Sequence, residues 1–270
     1  MKEEYFRITS ASNTVMKEVR NLAEKKGRVK SGAFVVEGVK LVTEALSYRI
    51  SIRFIIVSDS FIPRFETMLP ELSGVRVYQV PDFLFSKIST TESPQGILAV
   101  ADFPVGERDS LLKQFTRCVI LENVQDPGNV GTIIRTADAC GFDGILLSSG
   151  CADPYNPKVL RSAMGSAFHL PVITCEDIYD TIKSMKASGM RIVAAHPRDA
   201  AILWDSPLAD NIAVVIGNEG SGLSELMLDL TDVCVMIPMP GKAESFNAAA
   251  AASILMYESM RQKMTGLCKA

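Results

Sequence analysis

Five polar side chains stand in three short stretches of this chain, and each stretch follows or ends an apolar run. The five residues are Asn129, Arg135, Glu219, Ser245 and Asn247. The apolar runs cover 118–121, 212–216 and 233–239. Because the set holds no histidine, no cysteine and no pair of carboxylates, covalent and carboxylate acid–base catalysis are disfavoured. Amide groups and a guanidinium instead suit holding and polarising a hydroxyl beside a cofactor that brings its own chemistry.

The stretch 237–253, IPMPGKAESFNAAAAAS, predicts a strand end, a tight turn and an abrupt helix start. Pro238 and Pro240 remove backbone donors and so end a central strand, and Gly241 permits a sharp reversal. Ser245 is the expected helix N-cap, with apolar residues at helical spacing behind it. For this fragment alone, a well-capped alanine-rich helix without a ligand is the better interpretation. The two other polar stretches make a ligand-binding site the better interpretation of all three together.

The C-terminal part of the chain alternates between strand and helix patterns. We expect strands at 117–123, 144–148, 171–174, 191–195, 212–217 and 233–239, and helices at 129–140, 157–168, 178–188, 224–230 and 245–263. This alternation predicts a mostly parallel sheet that is covered on both faces. In such a sheet the strand ends that carry the three polar stretches line one crevice, where ligands bind.

The N-terminal part predicts a second, smaller α/β domain. Strands are expected at 33–36, 52–57, 75–80 and 97–101, and helices at 12–26, 37–46, 61–72 and 82–87. The segment 103–110, FPVGERDS, interrupts the periodicity with proline, glycine and charges, which is typical of a linker. We therefore divide the chain into an N-terminal domain (1–102), a linker (103–112) and a C-terminal domain (113–270).

Composition restricts the class of protein and its compartment. The 270 residues are 47% hydrophobic with a net charge of −3, so the chain has real cores, and its overall charge does not by itself indicate a polyanion binder, although a local basic patch is compatible with it. Six cysteines without a CxxC pair are typical of reduced core thiols in a cytoplasmic protein. With two histidines, no metal site is expected. The polar N-terminus and the lack of a long apolar run predict neither a signal peptide nor a membrane span.

Four basic residues around Gly27 are candidates for contacts with nucleic-acid phosphates. They are Lys25, Lys26, Arg28 and Lys30. Phosphate binding is the more specific interpretation of such a cluster. The charges alone indicate no more than a solvated helix end.

The three polar stretches match motifs of one family. None is a GxGxxG or Walker A loop, so the residues alone support nucleotide binding of some kind but neither NAD nor ATP. Together they resemble the SpoU branch, or TrmH family, of the SPOUT RNA ribose methyltransferases. The matching motifs are LENVQDPGNVGTIIRTADACGFDG (121–144), IGNEGSGL (216–223) and IPMPGKAESFNAAAAASILMYE (237–258), with NPKVLRSAMGSAFHLPV (156–172) between them. The segments 25–46 and 93–100 resemble the substrate-binding domain of the same family.

The resemblance implies a deep trefoil knot in the C-terminal domain, which is a rare feature. It also implies S-adenosylmethionine (AdoMet) as cofactor, and a homodimer with the active site near the subunit interface. The implied activity is 2′-O-methylation of RNA ribose, with large-subunit ribosomal RNA favoured over tRNA. Residue by residue, the implied catalytic and substrate-side residues are Asn129, Arg135, Glu219, Ser245 and Asn247. The implied cofactor contacts are Gly217, Ile237, Met239, Phe246 and Asn247, and Arg135 joins the basic cluster in RNA binding.

Other interpretations stay open at this point. A helix cap after GSGL explains Glu219 as well as substrate contact does, and Asn129 fits a turn or N-cap position. A tRNA ribose methyltransferase, a non-catalytic RNA-binding or ribosome-assembly factor and a base methyltransferase of the wider superfamily are rival functions. Arg135 and Asn247 argue against a non-catalytic relative, which would be free to lose them, and the Asn–Arg and Ser-x-Asn motifs favour ribose over base.

Overall fold

The protein forms two compact units. The computed structural model describes residues 5–68, 74–104, 106, 108–196 and 200–266. The first unit comprises Met1–Val105 together with Tyr155–Phe168, and the second comprises Gly106–Pro154 together with His169–Ala270. A segment from the middle of the C-terminal sequence therefore folds as part of the first unit.

Strands and helices alternate through the described chain. The strands are β1 (Phe6–Arg7), β2 (Ala33–Glu37), β3 (Ile52–Ser58), β4 (Arg76–Val80), β5 (Ile97–Asp102), β6 (Arg117–Leu121), β7 (Gly144–Leu147), β8 (Val172–Thr174), β9 (Arg191–Ala195), β10 (Ala201–Ile202), β11 (Ile212–Ile216) and β12 (Val233–Met236). The helices are α1 (Thr14–Asn21), α2 (Lys25–Ser31), α3 (Val39–Ser47), α4 (Ile62–Met68), α5 (Asp82–Phe85), α6 (Arg108–Leu112), α7 (Pro127–Ala139), α8 (Pro157–Ala163), α9 (Ile178–Ala187), α10 (Glu225–Leu230) and α11 (Ala248–Thr265). Short 3-10 helices lie at Asp59–Phe61, Ser166–Phe168 and Leu203–Asp205. The predicted α/β class is confirmed.

A mixed five-stranded sheet forms the centre of the first unit. Its order is β1-β4-β3-β5-β2, and β5 is antiparallel to both of its neighbours. Because side chains alternate along a strand, Phe34 joins one core cluster and Val35 the other. Helix α8 adds Leu160 to the cluster of Phe34. The Tyr155 ring lies 4.6 Å from the rings of both Phe34 and Phe103, so aromatic packing fixes this segment to the unit.

Seven strands, all paired in parallel, form the sheet of the second unit. Their order is β10-β12-β9-β11-β6-β7-β8. Every residue of β6, β7 and β11 is buried, as expected for apolar strands in the middle of a sheet that is covered on both faces. Because the strands run in one direction, the loops after β6, β11 and β12 all leave from the same edge. The predicted mostly parallel sheet is confirmed.

Helix α11 begins three residues later than the sequence predicts. Its N-cap is Asn247 rather than Ser245, and the Asn247 side chain accepts from the backbone N–H groups of Ala249 and Ala250 at 2.9 and 3.3 Å. These donors have no partner within the first helical turn, which is why an N-cap side chain stabilises the helix. The expectation of Ser245 as N-cap is therefore wrong.

Several other element boundaries differ from the expected ones. The expected helix 12–26 is divided into α1 and α2, and the expected helix 157–168 is interrupted after α8. The interruption follows from left-handed backbone at Met164 and Gly165, whose φ angles are 54° and 101°. The expected helix 61–72 ends at Met68 in α4, and 69–73 lie outside the described residues.

Helix α2 carries the basic cluster, and the structure separates its members. The three lysines of the cluster are exposed. Arg28 is 2% exposed, and its Nη1 donates to the backbone carbonyl oxygens of Leu22 and Ala23 at 2.9 and 2.8 Å. Arg28 therefore closes the turn between α1 and α2. This position differs from the predicted RNA contact, because the guanidinium is buried against backbone carbonyls.

Candidate functional site

The second unit brings the three polar stretches to one edge of its parallel sheet. The stretch after β6 leads into α7, the one after β11 into α10, and the one after β12 into α11. Strands β6 and β11 are paired, with Leu121 beside Ile216 at their ends. Helices α7 and α11 pack against each other, and the buried Ala248, Ala249 and Ala252 keep α11 narrow at its start.

Two asparagines and a glutamate form a continuous hydrogen-bonded chain between these stretches, which we call the amide chain. Asn247 donates from Nδ2 to Oδ1 of Asn129 at 3.0 Å. Asn129 donates from Nδ2 to Oε1 of Glu219 at 2.8 Å. The fold therefore places three of the predicted site residues in direct contact, although they come from three separate motifs.

The groups at the two ends of the amide chain fix the orientation of both amides. An ionised carboxylate only accepts, so Asn129 must turn its NH2 group to Glu219 and its carbonyl to Asn247. The first backbone N–H groups of α11 only donate, so Asn247 must turn its carbonyl to the helix and its NH2 to Asn129. The amide chain thus runs from the positive end of a helix to a carboxylate, and each hydrogen bond polarises the next.

Asp126 sets the position of Asn129. It is the N-cap of α7, and its Oδ1 accepts from the backbone N–H of Asn129 at 2.9 Å. Pro127 follows in the first turn of the helix, where a backbone N–H would form no intrahelical hydrogen bond, so proline is tolerated. The N-cap interpretation of Asn129 is therefore wrong, and its side chain is available to Glu219 and Asn247.

The loop after β11 is closed so tightly that only glycine fits at its start. The backbones of Asn218 and Gly222 exchange two hydrogen bonds of 3.0 Å, and Oδ1 of Asn218 accepts from two more N–H groups of the loop at 2.9 and 3.0 Å. A Cβ atom at Gly217 would lie 2.5 Å from the backbone C and O atoms of Gly222. Glu219 therefore stands at the exposed tip of a closely packed turn.

A buried glutamate that the sequence analysis missed ties this loop to β6. Glu122 is 1% exposed and accepts from the N–H and hydroxyl of Ser224 at 2.9 and 2.6 Å and from the Tyr179 hydroxyl at 2.8 Å. The hydrogen bond with Ser224 lowers the pKa of Tyr179, but burial and the Glu122 carboxylate outweigh it and raise that pKa. An acidic residue directly after the apolar run 118–121 was the available signal.

The cap of α10 excludes one of the two interpretations of Glu219. Ser224 is the N-cap of α10, and its hydroxyl oxygen accepts from the backbone N–H of Met227 at 3.1 Å. The capping interpretation of Glu219 is therefore wrong. Its carboxylate accepts from Asn129 instead.

Arg135 and Ser245 are exposed outside the amide chain. Arg135 lies further along α7, and no group in the part of the chain that the structure describes forms a hydrogen bond or ion pair with it. Ser245 lies in the turn before α11, and its hydroxyl likewise has no partner among the described residues. A cation and a hydroxyl without protein partners are available to a ligand.

The turn between β12 and α11 presents apolar side chains and backbone to solvent. All residues of 241–247 are exposed. Met239 and Phe246 expose 37% and 40% of their surface, and Ile237 is half-buried. Apolar groups next to backbone that belongs to no helix or strand suit a ligand with apolar and polar parts.

Within the described ranges, the cysteine thiols and acidic groups form neither a metal site nor a reactive-thiol site. No group of three or more His, Cys, Asp or Glu side chains is placed there to hold a metal ion. Cys118, Cys140 and Cys151 are buried, and burial raises the pKa of each thiol, which disfavours a reactive thiolate. Of the helices described, none is long and apolar enough to cross a membrane.

Comparison with known proteins identifies the family of the chain. The model of the SpoU rRNA methylase family matches residues 116–257, and the model of the MRM3-like substrate-binding domain matches residues 13–99. The chain belongs to the SpoU rRNA methylase family. The resemblance drawn from the three motifs is confirmed.

Two relatives with assigned activities resemble this SpoU methylase over nearly its whole length. The 23S rRNA (guanosine(2553)-2′-O)-methyltransferase RlmP of Bacillus subtilis (strain 168) is 38% identical over 93% of this chain and 97% of its own. The 23S rRNA (uridine(2479)-2′-O)-methyltransferase of Streptomyces viridochromogenes is 30% identical over 96% of this chain and 93% of its own.

Two solved structures share its fold. An AdoMet-bound rRNA methyltransferase from Sinorhizobium meliloti superposes with a TM-score of 0.84 at 30% identity, covering 95% of this chain and 97% of that one. The SpoU methyltransferase AviRb from Streptomyces viridochromogenes, in complex with AdoMet, has a TM-score of 0.82 at 28% identity, covering 94% and 100%. The α/β SPOUT fold implied by the motifs is confirmed.

Proposed function

We propose that this SpoU methylase transfers the methyl group of AdoMet to the 2′-oxygen of an RNA ribose, with large-subunit rRNA as the substrate. The observation that carries the proposal is the amide chain of Asn129, Glu219 and Asn247 in a unit that also exposes Arg135, which has no hydrogen-bond or ion-pair partner among the described residues. In support, both relatives are named for 2′-O-methylation of 23S rRNA, and both structural neighbours hold AdoMet. We further propose that the protein acts in the cytoplasm, as its cysteine usage predicts.

The residues of the second unit fit AdoMet. The exposed apolar side chains of Met239 and Phe246 suit its adenine and the carbons around its sulfonium sulfur, and Ile237 lies close to them in sequence. The loop that begins at Gly217 and the cap at Asn247 supply polar groups from the neighbouring strand ends. When bound, AdoMet supplies an electrophilic methyl group on a positively charged sulfur.

Arg135 has the task of activating the weak nucleophile. A ribose 2′-hydroxyl reacts poorly until its proton leaves, and a guanidinium stays protonated in proteins, so Arg135 is no general base. Its fixed positive charge instead stabilises the negative charge that develops on the ribose oxygen as the proton leaves, and its second edge grips the adjacent phosphate. The binding of that phosphate sets the sugar in place before the proton leaves.

The proton of the 2′-hydroxyl has three candidate acceptors. Asn247 uses its carbonyl on α11 and its NH2 on Asn129, so it has no spare acceptor for a proton. The remaining routes are water, a phosphate oxygen of the RNA, or relay through the exposed Ser245 hydroxyl. Asn247 therefore acts by holding Asn129 and Glu219 in place.

The proposed activity is tested by following the methyl group. Unmodified 23S rRNA and tRNA transcripts are incubated with methyl-labelled AdoMet and the full chain, and the products are digested to nucleosides. We expect label in one 2′-O-methylated nucleoside of 23S rRNA. A labelled base, labelling of tRNA alone, or RNA binding without any product would each refute the proposal and favour one of its rivals.

We infer a homodimer with the active site near the subunit interface. Ile202 and Met236 are paired positions of β10 and β12, and they expose 37% and 40% of their surface, while Trp204 exposes 53%. Ile202 lies on the edge strand β10, Met236 on the neighbouring β12 just before the turn to α11, and Trp204 in the 3-10 helix after β10. Exposed apolar patches of this kind mark interaction sites. Light scattering should give twice the mass of one chain, and the mass of one chain after Trp204→Asp. A single-chain mass for the wild type would contradict the dimer.

Asn247→Asp separates the helix cap from the amide chain. Aspartate still accepts from the first N–H groups of α11, so we expect the melting temperature to stay within about 3 °C of wild type. Its carboxylate cannot donate to Asn129, and we expect kcat to fall at least about tenfold, because a hydrogen bond to a charged network is lost. Asn247→Ala is the matched control. It removes both the cap and the donor to Asn129, so it should lower both the melting temperature and kcat. Full turnover by the aspartate variant would show that the amide chain is dispensable.

The three exposed lysines of α2 are expected to contact RNA phosphates, as the sequence analysis predicts. Replacing Lys25, Lys26 and Lys30 by alanine should weaken RNA binding and reduce the slope of log K against log salt concentration by up to about three units. The measurement is a filter-binding titration with 23S rRNA at several salt concentrations. A slope that equals that of the wild type would mean that these lysines only solvate the helix.

A further inference from the structure

The segment Tyr155–Phe168 belongs to the first unit although the methylase motifs surround it in sequence. Leu160 lies in the core of that unit at 2% exposure, and Tyr155 stacks on Phe103 at a ring distance of 4.6 Å. Helix α8 is therefore held firmly on its apolar side. Its polar side carries Arg161, one turn after Lys158.

A buried carboxylate organises the surface next to Arg161. Glu37 is 7% exposed, and four donors from one turn of chain approach its two oxygens. They are the Ser89 hydroxyl, the Thr90 N–H and hydroxyl at 2.8 Å each, and the Thr91 hydroxyl at 3.0 Å. Burial without a basic partner is costly for a carboxylate, and this set of donors offsets that cost. The turn 89–91 is thus fixed to Glu37.

The Thr90 hydroxyl connects Glu37 to Arg161. Its proton points to the carboxylate, so its oxygen can only accept from other groups. Nη1 of Arg161 donates to that oxygen at 2.9 Å. The two hydrogen bonds therefore run in one direction: Arg161 donates to Thr90, and Thr90 donates to Glu37. The buried negative charge of Glu37 favours a positive charge at the surface position of Arg161.

Most of the Arg161 guanidinium remains available. Only its Nη1 has a hydrogen-bond partner in the described parts of the chain, and no carboxylate there forms an ion pair with it. The side chain is half-buried, which limits its rotation. A planar cation held at one nitrogen with its other edge open matches two oxygens of a phosphate.

We propose that Arg161 binds a backbone phosphate of the RNA substrate and that Thr90 is its positioning residue. The proposal deepens the proposed function and rests on it. It assigns the segment Tyr155–Phe168 to substrate binding. A segment that lies between the methylase motifs in sequence would then contribute an RNA contact to the first unit.

The test compares variants of the full chain on an unmodified, full-length 23S rRNA transcript. For Arg161→Ala we expect KM to rise about tenfold, because a charge-assisted contact is lost, and the salt slope of binding to fall by about one unit. kcat and the Kd of AdoMet should stay within about twofold, because the residue touches neither reacting atom. Arg161→Lys should restore the salt slope but only part of the KM, because lysine lacks the fork.

Two further variants test the positioning role and the specificity of the effect. Thr90→Val removes the acceptor and should raise KM about threefold, whereas Thr90→Ser keeps the hydroxyl and should restore it. Arg7→Ala is the matched control, because it removes one positive charge from the same unit but from an arginine that pairs with Asp59 at 2.8 Å. It should leave the KM and the salt slope unchanged.

The outcomes distinguish this proposal from the proposed function. Binding isotherms need no turnover and report on Arg161, while methyl transfer by the wild type reports on the function. Wild-type RNA affinity and salt slope in Arg161→Ala, with an active wild type, would overturn the phosphate contact alone. Equal KM values for Thr90→Val and wild type would overturn the positioning role. No methylation of any RNA by the wild type would overturn the function.

Discussion

Arg135→Ala is expected to reduce kcat by about 10²–10³ while the Kd of AdoMet changes by less than about threefold. The reason is that the guanidinium stabilises negative charge that exists only as the ribose oxygen loses its proton. Loss of this transition-state contact lowers kcat, and loss of the phosphate contact, which exists before the reaction, also raises the KM for RNA. Arg135 has no hydrogen bond or ion pair with any described group, so its removal leaves no protein partner unsatisfied.

The lysine variant separates charge from geometry at this position. Arg135→Lys keeps the positive charge but loses the planar pair of donors, so we expect it to recover little of the lost activity. Thr132→Ala, at an exposed position of the same helix, is the control and should keep wild-type kcat. Single-turnover experiments measure the rate of methyl transfer, and calorimetric titration measures the Kd of AdoMet. Near wild-type turnover by the lysine variant would contradict the two-donor role.

Gly217→Ala is expected to weaken AdoMet binding at least about tenfold, which corresponds to about 1.4 kcal/mol. The added Cβ would lie 2.5 Å from the C and O atoms of Gly222 and 2.8 Å from the nitrogen of Leu223. All three are backbone atoms, so no side-chain rotation relieves the overlap. The loop must shift, which opens the two hydrogen bonds between Asn218 and Gly222. Such overpacking costs about 1–3 kcal/mol.

Gly220 in the same loop offers the matched control. A Cβ there would meet only Oδ1 of Asn218, at the ordinary contact distance of 3.5 Å. Gly220→Ala should therefore bind AdoMet within about twofold of wild type. Calorimetry gives the affinities, and circular dichroism shows that both variants are folded. An alanine at 217 that binds AdoMet as the wild type does would show that the loop after β11 does not shape the cofactor site.

The strands and the edge that carries the site could be predicted from the sequence. β6 and β11 are buried along their whole length and, apart from Arg117 at the start of β6, apolar, and the parallel sheet they imply requires their carboxyl ends to meet. The contact of Asn129 with Glu219 and Asn247 confirms that reasoning. The family came from motif resemblance, and so did the expectation of a knot, since hydrophobic patterns report local structure and not the path of the chain through its own loops.

Local patterns failed where tertiary contacts decide between similar residues. Ser245 and Asn247 lie two positions apart, and both residue types are good N-caps. The structure uses Asn247 as the N-cap, and the same side chain also donates a hydrogen bond to Asn129. Arg28 belongs to a basic cluster in sequence, yet its side chain turns inward to the carbonyl of Leu22. The packing of Tyr155–Phe168 on the first unit likewise depends on contacts with residues far away in sequence.

A crystal structure of the full chain with AdoMet tests the central claim most directly. We expect density for the cofactor between the loop that begins at Gly217 and the turn 237–247, with the Arg135 guanidinium directed toward the methyl group. Density for AdoMet elsewhere on the protein, or an Arg135 side chain that points away from the sulfur, would contradict the account.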